Sequence, residues 1–271
     1  MKKTVFVTDA SHTIGKNIVE FFVKNGFNVA VGFNGETSVG ASNLAKYYLW
    51  DIMNNESIQK TVADVINNFG TVDIVINTLD YKLYGPLEHS EYEFIETLWR
   101  TNVEAPIVIY KEWINHFKKR AKGCFVSISN DAGVITHPFL ACYNGAKWAL
   151  EGFCESMNFE LNPLGIKSRM VVTDFKNSGV NERSTHFSLT QGEKSEYYND
   201  YFKTKERIFG KKVEGEALDE FVRTVYRAST EYSDRIRFVV GEEIKEVMEI
   251  KKEKKGEAFL DYMKKGLKLK S

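Results

Sequence analysis

The chain carries no net charge: 37 lysines and arginines stand against 37 aspartates and glutamates. That balance argues against nucleic acid or an anionic membrane surface as a bulk partner. Cysteine is scarce. Cys124, Cys142 and Cys154 are odd in number and lack metal-ligand spacing, so reduced, mostly buried thiols and no metal site are expected. No apolar run approaches the length of a membrane span. The apolar run in MKKTVFVTD is too short for a secretory signal and suits a first strand. No internal repeat or low-complexity block is visible. These absences point to a soluble cytoplasmic protein.

What the chain has is length for one large α/β domain. Apolar runs at 4–8, 28–33, 47–50, 72–76, 125–128, 165–172 and 237–240 read as strands. Helical spacing of apolar residues appears between them, over 14–25, 57–69, 91–117 (interrupted near Pro106), 143–161 and 217–229. The segment GETSVGASN reads as a loop, and 176–215 as irregular, polar and tyrosine-rich, with Tyr197, Tyr198 and Tyr201. Residues 242–271 mix charges with Ile244, Val247, Met248, Phe259, Leu260 and Met263. They read as a charged amphipathic helical extension of a domain spanning 1–241.

The stretch from Cys124 to Leu150 organises the rest. A buried strand turns through Asn130-Asp131-Ala132-Gly133 and, after Pro138, enters a helix that carries Tyr143 and Lys147. Four apart on a helix, the two side chains share one face. An ammonium beside a phenol is expected to lower the tyrosine pKa, which suits a general acid/base near neutral pH. By itself the spacing is equally that of two surface residues.

In this context the segment ISNDAG…YNGAK resembles the active-site segment of the short-chain dehydrogenase/reductase family. The resemblance extends over almost the whole chain. It implies a Rossmann-type fold: a single domain with a doubly wound parallel sheet and helices on both faces, and with 176–215 as a substrate lid. It also implies an NAD(P)-dependent oxidoreductase acting on a carbonyl or secondary alcohol. The implied catalytic set is Tyr143 for the proton, Lys147 to tune it and hold the ribose, and Asn102 to anchor the relay. Asn130 stands thirteen residues before Tyr143, where the family has serine, and its amide could polarise a carbonyl. The implied cofactor-binding positions are Thr8, Ser11, Ile14, Gly15, Asp51, Asn77 and Lys147. The residues after the second strand, Phe33 and Asn34, do not decide between NAD and NADP.

The sequence departs from the family at the turns that face the cofactor. Of Thr-Gly-x-x-x-Gly-x-Gly only the last glycine, Gly15, remains, and Asp9, Asp80 and Asp174 stand where the motifs have glycine. Thr13 also fills room the family leaves for phosphate. A carboxylate about 4 Å from a phosphate charge costs roughly 1 kcal/mol in water-like surroundings and roughly 4 kcal/mol in a protein-like dielectric. Unless these side chains swing away, or pair with a neighbour such as Lys16 or His12, they oppose dinucleotide binding. Aspartate is also simply a turn-competent replacement for glycine. Two main functions remain open, beside a third, a non-redox enzyme that kept the tyrosine and lost the nucleotide. One is an oxidoreductase taking a small-molecule substrate with an atypical cofactor loop. The other is a catalytically silent member serving as a structural or regulatory subunit. In either case assembly is expected as a homo-dimer or tetramer, or with a related subunit, through the helices containing Asn102 and Tyr143.

Overall fold

A computed structural model describes residues 2–34, 45–174, 184–189, 195–209 and 215–267. The loop expected over 35–43 lies outside them. Seven strands form one parallel sheet: β1 (Thr4–Val7), β2 (Asn28–Phe33), β3 (Ala45–Leu49), β4 (Ile74–Asn77), β6 (Gly123–Asn130), β7 (Ile166–Thr173) and β9 (Arg237–Val240). Their order is β3-β2-β1-β4-β6-β7-β9, so the winding reverses between β1 and β4. In such sheets the crevice beyond the carboxyl ends of the strands at the reversal is where ligands lodge.

Helices cover both faces, as the fold class requires. Alternate side chains of a strand face opposite ways, and β1 shows the consequence. Phe6 packs with Val62, Trp113 and Leu150, which lie on α2 (Asn55–Phe69), α4 (Ala105–Lys118) and α5 (Ala141–Leu161). Val5 and Val7 pack with Ile18 and Phe221, from α1 (Thr13–Lys24) and α7 (Glu216–Thr230). Two buried layers thus sandwich one sheet.

Three features differ from the sequence reading. The interruption of the long helix is a π-helical turn, Arg100–Glu104, between α3 (Tyr92–Trp99) and α4, and Pro106 sits in the first turn of α4. Glu104 and Ala105 before it are already helical, so its missing N–H leaves a helical bond unmade at the end of the π turn. A short strand β5 (Lys82–Tyr84) pairs in parallel with β8 (Thr185–Phe187), tying the loop after β4 to the segment 176–215. That segment is not wholly irregular, since α6 (Tyr198–Phe209) forms in it. Beyond β9, α8 (Glu242–Glu253) and α9 (Glu257–Leu267) form the helical extension, with Ile244 and Phe259 buried.

Gly15 is where the fold and the first turn meet most closely. A Cβ there would lie 2.2 Å from the backbone oxygen of Asp9. Since that neighbour is backbone, Gly15→Ala should destabilise the protein by about 1–3 kcal/mol. Urea unfolding measures this, and an unchanged midpoint would mean the turn yields freely.

Candidate active site

Tyr143 and Lys147 lie one turn apart on α5, both almost fully buried. Asn130, at the end of β6, donates its Nδ2 to Tyr143 Oη at 2.6 Å. The residue thirteen before the tyrosine is therefore the one that meets it. The neighbouring Ser129 buries its hydroxyl beside Gly133, without a partner among the described residues. So far the expected set is assembled.

The oxygen that Tyr143 serves is internal. Its hydroxyl donates to Asp80 Oδ1 at 2.9 Å, and Lys147 Nζ lies 2.9 Å from the same oxygen. Asp80 Oδ2 lies 2.9 Å from Lys82 Nζ, on β5, whose side chain is 6 % exposed. Among the described residues one carboxylate thus bridges two buried ammoniums and the phenol.

This bridge reverses the expected tuning. Lys147 directs its charge at Asp80, and its Nζ stays 5.7 Å from the Tyr143 ring centroid. Burial, and then the negative charge of Asp80, push the Tyr143 pKa well above its ordinary value, while the bond from Asn130 only partly opposes them. Asp80 goes the other way. Burial alone would raise it, but the charges and hydrogen bonds of Lys147 and Lys82 hold it well below the usual carboxylate range. The expectation of an acidified tyrosine is therefore overturned: Tyr143 is held as a proton donor.

Asn102 sits in the π turn with no exposure. Its Nδ2 donates to Tyr81 O and its Oδ1 accepts from Tyr81 N, both at 2.8 Å. Both amide atoms thus hold the backbone next to Asp80. Asn102 belongs to the site, as the support of the loop that carries the bridging carboxylate.

The first turn is equally self-contained. Asp9 Oδ1 accepts from Ser11 N and Oδ2 from Ser11 Oγ, each at 2.8 Å. His12 caps α1, its Nδ1 accepting from Gly15 N at 3.3 Å, and its Nε2 lies 3.2 Å from Thr78 O and 3.6 Å from Asp9. Thr8 Oγ1 accepts from Thr78 N at 2.9 Å and lies 3.4 Å from Asn77 Oδ1, tying the end of β1 to that of β4. Asn77 Nδ2 is buried without a partner among the described residues. Ile14 is buried and Thr13 exposed.

Two expected positions stand apart. Asp51 is exposed at the entry to α2, its Oδ1 accepting from Met53 N at 2.9 Å. Asp174 packs its carboxylate against Gly241 and walls a separate cleft of about 230 Å³. Of the four residues set against a cofactor, Asp80 is the one that enters the catalytic set.

The space left beside Lys147 is about 30 Å³, walled by His12, Thr78, Asp80, Asn130 and Thr173. It has room for a water or two, against the several hundred Å³ of an ordinary cofactor site. As arranged, these residues do not fit a nicotinamide dinucleotide: a carboxylate holds Lys147, and side chains cap the amides of Ser11 and Gly15.

Sequence reasoning missed Lys82 and the role of His12. The signal for Lys82 was local, because residues two apart in an extended segment project to one side, which puts Lys82 beside Asp80. His12 lay in the position before a helix, where a side-chain acceptor is needed.

The short chain dehydrogenase family matches residues 3–187, and the chain belongs to that family of oxidoreductases. It is 26% identical over 214 residues to an uncharacterised oxidoreductase of Schizosaccharomyces pombe, covering 78% of this chain and 87% of the relative. It is 25% identical over 202 residues to a 3-ketodihydrosphingosine reductase of Bacteroides thetaiotaomicron, covering 74% and 73%. Its fold is similar to that of a short-chain dehydrogenase from Streptomyces avermitilis, with a TM-score of 0.82, 20% identity and 93% of each chain covered. An actinorhodin polyketide ketoreductase solved with NADPH gives a TM-score of 0.71 at 20% identity, covering 88% of this chain and 95% of that one. No helix among the described residues is long and apolar enough to cross a membrane.

The bridge also predicts an acid response. A carboxyl whose folded pKa is depressed contributes stability in full above its unfolded value, near 3.9, and loses it as pH falls toward the folded value. The stability difference between the wild type and Asp80→Asn should therefore be constant from neutral to about pH 5 and shrink below about pH 4. Urea unfolding at pH 2.5–7 would check this. A difference that grows toward acid would refute the assignment.

Proposed function

We propose that the protein is an oxidoreductase that interconverts a carbonyl and a secondary alcohol, with NAD or NADP as hydride carrier, and that the described site is its closed form. One observation carries the reading: an oxygen atom already sits within hydrogen-bond distance of both Tyr143 Oη and Lys147 Nζ. A substrate oxygen in the place of Asp80 Oδ1 would receive the same phenolic proton bond, beside an ammonium that favours negative charge on it. Asn130 would orient the phenol through the bond it already makes. Asp131 and His137 wall both the small space at Tyr143 and the wider cleft, which makes that cleft the substrate's approach. The reductases among the relatives and neighbours support the reaction class.

The bridging carboxylate itself favours a second reading, a catalytically silent subunit in which Asp80 permanently replaces the ligand. Ile107 on α4 and Phe159 on α5 expose apolar surface on the two helices through which a second copy or a related chain would dock.

Calorimetric titration with NADH and NADPH separates the two readings. Micromolar binding of either supports the first, and substrate screening should then show Tyr143→Phe reducing kcat by about 10²–10⁴-fold. Absence of binding at millimolar cofactor, in the wild type and in Asp80→Asn alike, would leave only the silent reading.

A further inference from the structure

The acid/base set is assembled, yet the space beside it is too small for a dinucleotide, and Asp80 has a part in both facts, alongside Asp9 and His12 at the first turn. We propose that Asp80 and Lys82 form a two-position latch, in which the carboxylate closes the site by bridging Lys147 and Tyr143 and opens it by withdrawing onto Lys82 alone. The latch gives a regulation to the oxidoreductase site and rests on that reading for its purpose.

The division of contacts suggests the two positions. Oδ1 serves the catalytic pair, Tyr143 and Lys147, and Oδ2 serves Lys82. Lys82 is buried on β5, which β8 holds in register, and among the described residues Asp80 is its only ion-pair partner. A carboxylate that lets go of Lys147 therefore still has a fixed ammonium to rest on, and is never buried unpaired, the costly case for a buried charge. Asn102 pins the backbone of Tyr81 from both sides. The movement available is thus rotation of the Asp80 side chain, with the loop in place.

Protonation is not the trigger, because both lysines keep Asp80 ionised throughout the neutral range. The trigger is a competitor for Lys147 and Tyr143, a ligand that presents its own oxygens to them. Such a ligand binds with its intrinsic affinity reduced by the fraction of molecules that are open. Removing the carboxylate and removing its resting place should then act in opposite directions.

The test compares the wild type with Asp80→Asn and Lys82→Met in two measurements. In calorimetry with NADPH and NADH, Asp80→Asn should bind at least about tenfold tighter than the wild type, and Lys82→Met several-fold weaker. A pair with only a structural role would weaken both. Equal or weaker binding by a folded Asp80→Asn overturns the latch, as does Lys82→Met binding as well as the wild type. Should Asp80→Asn fail to fold, Lys82→Met alone decides on the same criterion.

The second measurement is ¹⁹F NMR of 3-fluorotyrosine-labelled protein, with the Tyr143 resonance assigned by its loss in Tyr143→Phe. The Tyr143 titration should move down in Asp80→Asn and stay high in Lys82→Met. If no variant binds a dinucleotide, the oxidoreductase reading and the latch fall together, whereas binding by the wild type that Asp80→Asn does not tighten overturns the latch alone; the titration judges the bridge in either case. An unmoved Tyr143 titration in Asp80→Asn would overturn it.

Discussion

One carboxylate between two buried ammoniums is the interaction on which the rest of the site depends. Lys147 and Lys82 have almost no exposure, and without Asp80 they would be two like charges in a low-dielectric space. The pair fixes where Asp80 goes, and the charge of Asp80 adds to burial in raising the pKa of Tyr143. The strand ends hold this arrangement rigidly. Asn102 clamps the loop from the π turn, β5 and β8 hold Lys82, and α5 presents the tyrosine and lysine on one face. π turns are rare, and they occur often where a helix must aim a side chain at a site. Here the one between α3 and α4 aims Asn102.

The first turn shows that a glycine-rich phosphate loop combines two separable properties. One is close packing of helix against strand, which needs a residue without a Cβ. Gly15 keeps it, since a Cβ there would lie 2.2 Å from the Asp9 oxygen. The other is a set of backbone N–H groups left open to an anion. Asp9 and His12 close that set from within, the first by folding onto Ser11 and the second by capping Gly15. The fold therefore persists although the loop's ligand-facing chemistry has changed. The repulsion expected of Asp9 also takes a different form, because its carboxylate is already bound by donors that a phosphate would need.

The fold was legible because hydrophobic periodicity depends on burial alone. β2 and β9 match their apolar runs residue for residue, and both faces of β1 can be read from Val5, Phe6 and Val7. The candidate site was legible as a set of positions: Tyr143, Lys147, Asn130 and Asn102 do come together. Its electrostatic state was not legible. The effect of Lys147 on Tyr143 depends on which of two neighbours the ammonium faces, and the loop that brings Asp80 there is separated from Tyr143 by more than sixty residues. Spacing along one helix predicted a pair. The sheet reversal brought a third member from another strand.

The extension after β9 follows the same logic of burial. Ile244 joins the main core, and Lys251 on α8 donates to the backbone oxygen of Val134 while its ammonium lies 4.3 Å from the Trp148 ring centroid. Partial burial lowers the pKa of Lys251. Val134 lies just past the turn that begins at Asp131, and Trp148 lies one residue beyond Lys147. A segment that reads as a solvated charged tail thus braces the two stretches carrying Asn130 and Lys147, and Glu243, Glu246 and Tyr262 form the outer wall of the wider cleft. Two of the charges that make the tail look solvated in sequence thus belong, in the fold, to the wall of a cleft.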